Sequence, residues 1–402
     1  MNKPRALVVG MGIGGLATAL RLHDIGWDTL LVERAPERRA SGYFIGLFGT
    51  GRAAAQRLGV LDAIGNRYDA TSTTYDIDRE GRRRRPGLGY GDLPGSPRLV
   101  LRGDIEAALY DAVEPLTEMR FATTPLAIDE GPEGVDVTLR TTAGATVDTT
   151  ERFDLVVGAD GLRSTVRRLA FGPDTDYLQP LHHIIGATVL KSPVPGYRPT
   201  DGLVLAEPGR SAWVFPFADH QPTVLFNYRT DDEDAEFRRP PIESLRRAFG
   251  PEPTGAVLEN LLQQFEEADD FLFDSTHQVL MPTWHTDRVV LLGDSAWCLT
   301  LYSGMGASTA LAGADLLGTS LQRNPGNPAR ALREWEQKLR PFMATHQKIG
   351  RKDLVMFVPQ TPRDKATRTL TQNLLGNPVG KRAMKALTAR KFQDKLIDIA
   401  AA

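Results

Sequence analysis

Four glycines in six positions, Gly10-Met11-Gly12-Ile13-Gly14-Gly15, narrow what this chain can fold into more than any other stretch. The apolar run Ala6-Leu7-Val8-Val9 ahead of them reads as a short buried strand. Leu16 to Ile25 behind them is apolar on most sides, reads as a helix and is ended by Gly26. Asp28 to Val32 is the next strand, closed by Glu33-Arg34. Strand, glycine turn, helix and strand in this order form the βαβ unit of a parallel sheet. In the G-x-G-x-x-G spacing Gly10 makes the tight turn, Gly12 lets a diphosphate approach the backbone, and Gly15 lets helix pack on strand. The helix start, with Ile13 and Gly14, turns free N–H groups and a positive dipole end toward an anion. Glu33 falls where a carboxylate takes ribose hydroxyls and would repel a 2′-phosphate, which suits FAD or NAD. Lys3 and Arg5 before the apolar stretch give the outline of a signal peptide, but the glycines and the lack of a cleavage signature favour the βαβ reading.

Two later segments repeat the pattern. Val289 to Leu292 reads as a buried strand running into Gly293-Asp294-Ser295-Ala296-Trp297. Ser303-Gly304-Met305-Gly306-Ala307-Ser308 then opens an apolar helical stretch to about Leu321. Asp294 is a carboxylate at a strand end, suited to sugar hydroxyls. The backbone N–H groups of Gly304, Met305, Gly306 and Ala307 suit an anion or an electron-rich ring edge. Between these regions, Asp154 to Arg168 is again strand, turn and helix, with Asp160 at the strand end and Arg163, Arg167 and Arg168 expected on the helix. Arg102 precedes a helix expected from Ile105 to Val113 with Asp104 as its cap. It suits a phosphate or the open surface equally.

Thr50 to Leu61 reads as a helix, and Thr71 to Arg85 as a hairpin turning at Asp78 to Gly81. Gly87 to Pro97 reads as a glycine- and proline-rich loop. Val135–Arg140 and Thr146–Thr149 form a second hairpin. The region from His182 to His277 is rich in strands, and Trp213, Phe215 and Phe217 share one face of an alternating run, as core or as binding wall. Asn327-Pro328 opens a helix with apolar residues at Leu332, Trp335, Leu339, Phe342 and Ile349 and a kink at Pro341. Residues 1–70, 98–180 and 282–325 are expected to form the dinucleotide domain, 71–97 and 181–281 a substrate domain, and 326–402 bracing helices. A formal charge of −2 points to neither nucleic acid nor an anionic membrane, and no stretch is apolar enough to span a bilayer. The single cysteine, Cys298, excludes an internal disulfide and reads as a small buried side chain. The seven histidines lack ligand-like spacing, so no metal is expected. The expectation is a cytoplasmic monomer or homodimer.

The three segments, taken in order, resemble the class A FAD-dependent aromatic hydroxylases over about residues 1–345. The likeness is to compact members that modify tetracycline-type or other polyketide substrates. It implies an α/β fold, with a Rossmann-type FAD-binding domain, a mixed β-sheet substrate domain and C-terminal bracing helices. It implies that Gly10, Gly12, Ile13, Gly14 and Gly15 cradle the FAD diphosphate and that Glu33 binds the adenosine ribose. Arg34 and Arg102 would lie near ribose and phosphates, and the Leu126 backbone would meet adenine. Asp160 would serve FAD and NAD(P)H handling, Asp294 the ribityl chain, and Gly304, Met305, Gly306 and Ala307 the flavin ring. Phe44, Trp213, Phe215, Phe217 and Tyr302 are expected around a small hydrophobic aromatic substrate. The implied reaction uses NADH or NADPH and O2, and inserts one oxygen atom through a flavin C4a-hydroperoxide, with no acid–base triad. The chain departs from the family pattern at Ser295-Ala296-Trp297, where Ala-Ala-His is usual, and at Thr300-Leu301, where prolines are usual. A flavin oxidase or dehydrogenase without oxygen insertion, and a non-catalytic FAD-holding binding protein, stay open beside the monooxygenase.

Overall fold

A computed structural model describes residues 3–38, 42–86, 97–375 and 395–400. The apolar runs become a five-stranded parallel sheet in the order Val289–Leu291, Leu155–Gly158, Arg5–Val9, Asp28–Val32 and Glu118–Arg120. Its central strands are buried on both faces, which is why they read as unbroken hydrophobic runs rather than alternating ones. The register aligns Val9 with both Val32 and Gly158, and Gly158 with Leu291. The turns at Gly10, Ala159 and Leu292 therefore leave the sheet at one edge. Open α/β sheets bind ligands at this edge, beyond the carboxyl ends of the strands. The helices Ile13–Asp24 and Gly306–Arg323 pack together behind it.

A three-stranded antiparallel sheet, Thr123–Gly131, Gly134–Thr141 and Val147–Phe153, adds Val135, Val137, Leu139 and Phe153 to the same core. The third sheet has seven strands and is mixed, since Asp201–Glu207 pairs parallel with Thr73–Ile77 while its other pairs are antiparallel. Its strands alternate. Val224, Phe226 and Tyr228 pack in a separate core with Leu245, Phe249 and Phe265 of the helices Pro241–Phe249 and Gly255–Glu266. Leu225 and Thr223 line the cleft over the parallel sheet.

The helix Pro328–Phe357 runs on through Pro341, past the expected stripe. Residues 395–400 return to the Gly49–Arg57 helix, where Arg57 Nη1 and Nη2 reach the Asp398 carboxylate at 2.7 and 3.1 Å. Two expectations need correction. The helix expected over 50–61 divides into Gly49–Arg57 and Leu61–Ile64, because Gly59 at φ +73° leaves the helical region. The helix expected from Ile105 starts at Arg102. Asp104 is inside it, and caps by accepting the Leu101 N–H at 2.8 Å. The loop expected at 87–97 lies outside the described residues except for its last position.

Candidate active site

The three turns and the seven-stranded sheet enclose a cleft of about 350 Å³. A larger groove of about 550 Å³, with Arg83, Tyr197 and Val257 in its wall, contains none of the motif residues. The first cleft, which the motif residues line, is therefore the candidate site.

Its cofactor end is built from the glycine turn. Gly10 sits at φ +103°, and a Cβ there would come within 2.5 Å of the Ala159 carbonyl oxygen. A methyl on Gly15 would overlap the Gly10 carbonyl. Both glycines serve the fold. Gly12 differs, since a Cβ there would find only Arg102 Nη2, at 3.8 Å. The open space beside Gly12 is the kind of cradle a diphosphate fills. Gly12, Ile13, Gly14 and Arg102 all line the cleft. Arg102 has no carboxylate partner among the described residues, although it is in the first helical turn facing the glycines. The Glu33 carboxylate accepts the N–H of Met11 and of Ala35, each at 2.9 Å, and a carboxylate with two such bonds still has lone pairs for ribose hydroxyls. Arg34 is exposed beside it.

Asp294 begins a short helix after the Val289–Leu291 strand. Its side chain is exposed toward the cleft, whose walls crowd it and limit its hydration. This desolvation pushes its carboxyl up, with Cys298 and Arg102 pulling it back. Burial likewise raises the Tyr43 phenol and the Cys298 thiol beside it. Both line the cleft, and the sequence signalled neither as a site residue.

Asp160 lies differently. One oxygen accepts from Ser164 Oγ at 2.6 Å and the other from the N–H of Thr165 at 2.6 Å, so its carboxylate caps the helix Thr165–Ala170. Its neighbours Ala159 and Gly161 line the cleft. Arg163 precedes that helix rather than lying on it, and its two Nη atoms reach Asp274 at 3.0 and 2.6 Å. Arg167 is fully buried and donates to Ser295 O at 2.9 Å, Leu162 O at 2.6 Å and Asp174 at 2.6 Å. It fastens the turn that carries Asp294, a role hidden in the sequence because Ser295 lies far along the chain. Leu126 is exposed at a bulge of its strand, outside the cleft lining.

The helix start at Gly306 refines the expected donor set. The Gly304 N–H donates to Leu301 O at 2.9 Å, and the Met305 N–H to Ser303 Oγ at 3.1 Å. Among the described residues nothing accepts from Gly306 or Ala307, and a Cβ on Gly306 would meet no atom within 4 Å. The backbone donors available to a ring edge therefore come from Gly306 and Ala307, not from all four residues. The neighbouring departure from the family pattern has a physical form. Thr300 sits at φ +66°, where proline, held near φ −65°, cannot stand. Gly350 makes room for it, since a Cβ there would lie 2.7 Å from Leu299 O and 3.0 Å from Thr300 Cγ2.

The other end of the cleft is aromatic. Phe44 and Phe215 stack with centroids 4.1 Å apart and line the cleft with Phe357. Trp213 is one layer back, 6.1 Å from Phe215 and 5.0 Å from Phe357. Phe217 is buried beneath Phe44 at 6.0 Å. Tyr302 is buried as well, donates to Asn227 Oδ1 at 3.1 Å and packs on Phe357 at 5.5 Å. Of the five expected substrate residues, Phe44 and Phe215 thus line the cleft while Trp213, Phe217 and Tyr302 back it. Phe357, the last residue of a helix read as a brace, was not anticipated.

A family model described as an FAD binding domain matches residues 3–332. The chain belongs to this family of FAD-binding enzymes. Its relatives include a flavin-dependent monooxygenase of an unknown prokaryotic organism, 26% identical over 86% of this chain and 88% of the relative. An uncharacterized protein of Mycobacterium tuberculosis is 30% identical over 79% of this chain and 84% of its own length. Among solved structures, tetracycline destructase Tet(51) superposes with a TM-score of 0.75 at 25% identity, covering 95% of this chain and 98% of that one. The FAD-binding chain is thus a member of the FAD-dependent monooxygenases, with the mixed α/β fold of the flavin hydroxylases. Among the described residues no helix is long and apolar enough to cross a membrane.

Proposed function

We propose that this monooxygenase uses NADH or NADPH and O2 to hydroxylate a small aromatic or polycyclic, polyketide-like substrate. One observation carries the reading. The stacked pair Phe44 and Phe215, with Phe357, shares a single cleft with the open cradle at Gly12 and the unsatisfied helix start at Gly306. A flavin held by the last two would have the aromatic wall at the other end of the same cleft. Bound FAD supplies the redox chemistry, taking hydride from the nicotinamide and activating O2.

The residues of the chain supply position and environment. Gly12 and Arg102 would hold the diphosphate, Glu33 the adenosine ribose and Asp294 the ribityl hydroxyls. The open N–H groups of Gly306 and Ala307 would suit a ring edge where negative charge develops on reduction. The aromatic wall orders the substrate and displaces water from the reacting face. The likeness to a tetracycline destructase, an enzyme acting on a polycyclic antibiotic, supports a polycyclic phenol as substrate and antibiotic modification as one outcome. The test is NAD(P)H oxidation by the purified yellow protein with a panel of polycyclic phenols under 18O2. A product that gains one labelled oxygen supports the proposal. Substrate oxidised without label identifies an oxidase or dehydrogenase, and substrate left unchanged with no substrate-dependent NAD(P)H consumption identifies a binding protein.

A further inference from the structure

Two hydroxyls in the wall of the cleft lack a bonding partner. Thr223 is 1% exposed and Thr300 6%, and among the described residues neither Oγ1 has a hydrogen-bond partner. Both residues line the cleft. A hydroxyl can donate and accept, and one shut away from water without a partner lowers stability. Valine has the same shape and would fill either place without that cost. A ligand oxygen in the cleft removes it.

The two residues come from different elements. Thr223 opens the strand Thr223–Arg229 and pairs across the sheet with Phe215, so the two side chains stand next to each other on one face. Phe215 is the ring stacked on Phe44. Thr300 is in the turn between Asp294 and the helix start at Gly306, where the family pattern has a proline, which offers no hydroxyl. The Thr300 backbone, at φ +66° and ψ 155°, is one that β-branched residues rarely adopt. The Ser303 N–H and Oγ hold it there by donating to Thr300 O at 3.3 and 3.0 Å, and Gly350 leaves room for its methyl. Residues held in such conformations cluster at ligand sites. A threonine hydroxyl and methyl exchange places by one rotation about χ1, so either residue can present its oxygen to a ligand in the cleft it lines.

We infer that Thr223 and Thr300 are specificity-determining residues, each forming a hydrogen bond to an oxygen substituent, hydroxyl or carbonyl, of the aromatic substrate. The inference rests on the aromatic-substrate reading above and goes further. An apolar wall takes any flat ring of the right size. A site with hydroxyls to satisfy discriminates against the ring that lacks the matching oxygen. A threonine hydroxyl accepts from a phenol and donates to a ketone, so both kinds of oxygen fit, whereas an aromatic hydrocarbon leaves both threonines unpartnered.

The test reads binding alone, by the change in flavin absorbance of FAD-loaded protein without NAD(P)H. The probes are naphthalene, 2-naphthol, 1,3-dihydroxynaphthalene and 2,7-dihydroxynaphthalene. The tighter dihydroxy isomer should bind wild type about tenfold or more tightly than naphthalene, as one or two added hydrogen bonds predict. Thr223→Val and Thr300→Val should each weaken that isomer about three- to tenfold while leaving naphthalene and FAD affinity unchanged. Thr223→Ser and Thr300→Ser, which keep the oxygen, should retain most of the affinity for the isomer. Val variants that weaken isomer and naphthalene equally, that change neither, or that lose FAD instead overturn the inference. So does wild type that binds no probe or does not prefer the oxygenated ones. Oxygen-dependent binding by a protein that consumes no NAD(P)H leaves this inference standing and removes the monooxygenase reaction. Wild-type protein that holds no FAD overturns the FAD reading and this inference with it.

Discussion

Gly12 and Gly15 belong to one motif, but the structure predicts opposite consequences for substituting them. Gly12 is the residue before the first helix at φ −81° and ψ −176°, ordinary extended backbone that any residue adopts. An added Cβ would have Arg102 Nη2 at 3.8 Å as its sole neighbour. Gly12→Ala loses the cap preference of glycine, a few tenths to about 1 kcal/mol. It gains about 0.4–1 kcal/mol by restricting the unfolded chain. The two nearly cancel, so flavin-stripped protein should keep its stability within about 1 kcal/mol, and Gly12→Val should behave similarly. Gly15→Ala gains about 1 kcal/mol of helix propensity. It also drives a methyl into the Gly10 carbonyl, whose residue is pinned by its N–H bond to Val32 O at 2.8 Å. Overpacking against backbone costs about 1–3 kcal/mol or more, so a net loss is expected. With FAD present the order reverses. Wild-type protein at one hundred times its dissociation constant should gain about 2.7 kcal/mol, and Gly12→Val should gain almost none. Urea unfolding of stripped and FAD-saturated protein reads all of these values. Gly12→Val that binds FAD as wild type does, or that destabilises the stripped protein as much as Gly15→Ala, would refute the division of labour.

Arg167→Met should cost about 1–3 kcal/mol, because it leaves the buried Ser295 carbonyl and the half-buried Leu162 carbonyl without their donor while Asp174 keeps its pair with Arg168, and unfolding midpoints measure the loss. A loss below 1 kcal/mol would mean that the site relaxes or hydrates. Phe215→Ala removes the partner stacked on Phe44, so the dissociation constant of an aromatic ligand should rise about tenfold while FAD content stays constant, as read by flavin absorbance titration. Equal loss of FAD would place this wall at the cofactor instead. Burial holds the His183 imidazole below its ordinary 6.5. The neutral form is therefore favoured by folding, and its contribution is complete above pH 6.5 and lost as pH falls through the lower folded value. Wild type should lose stability relative to His183→Gln below pH 6.5, by at most about 1.4 kcal/mol per pH unit, in denaturation at stepped pH. Parallel curves for the two proteins would show that His183 does not titrate between the states.

The local signals in the chain are those whose physics is local. A glycine turn needs its neighbours only, so the strand, turn and helix from Ala6 to Ile25, the carboxylate at Glu33, and the Gly293-Asp294 and Gly304-Gly306 turns were readable one segment at a time. The apolar runs also announced a parallel sheet, since strands buried on both faces have no alternation to hide. Three-dimensional packing decided which donors remain open. Ser303 Oγ and Leu301 O take the N–H groups of Met305 and Gly304, leaving Gly306 and Ala307, and no spacing rule distinguishes these four. Packing also turned Asp160 into a helix cap and put Arg167 beneath the Asp294 turn. It brought Phe357 to the aromatic wall and Lys395 to the Ser303 carbonyl. The Asp160 cap and the Ser303 and Leu301 acceptors are local, but the contacts of Arg167 with Ser295, Phe357 with Trp213 and Lys395 with Ser303 join residues dozens to hundreds of positions apart. Their energies depend on burial and on distances of a few ångströms, quantities that exist only once the sheets and the long helix have closed around the cleft.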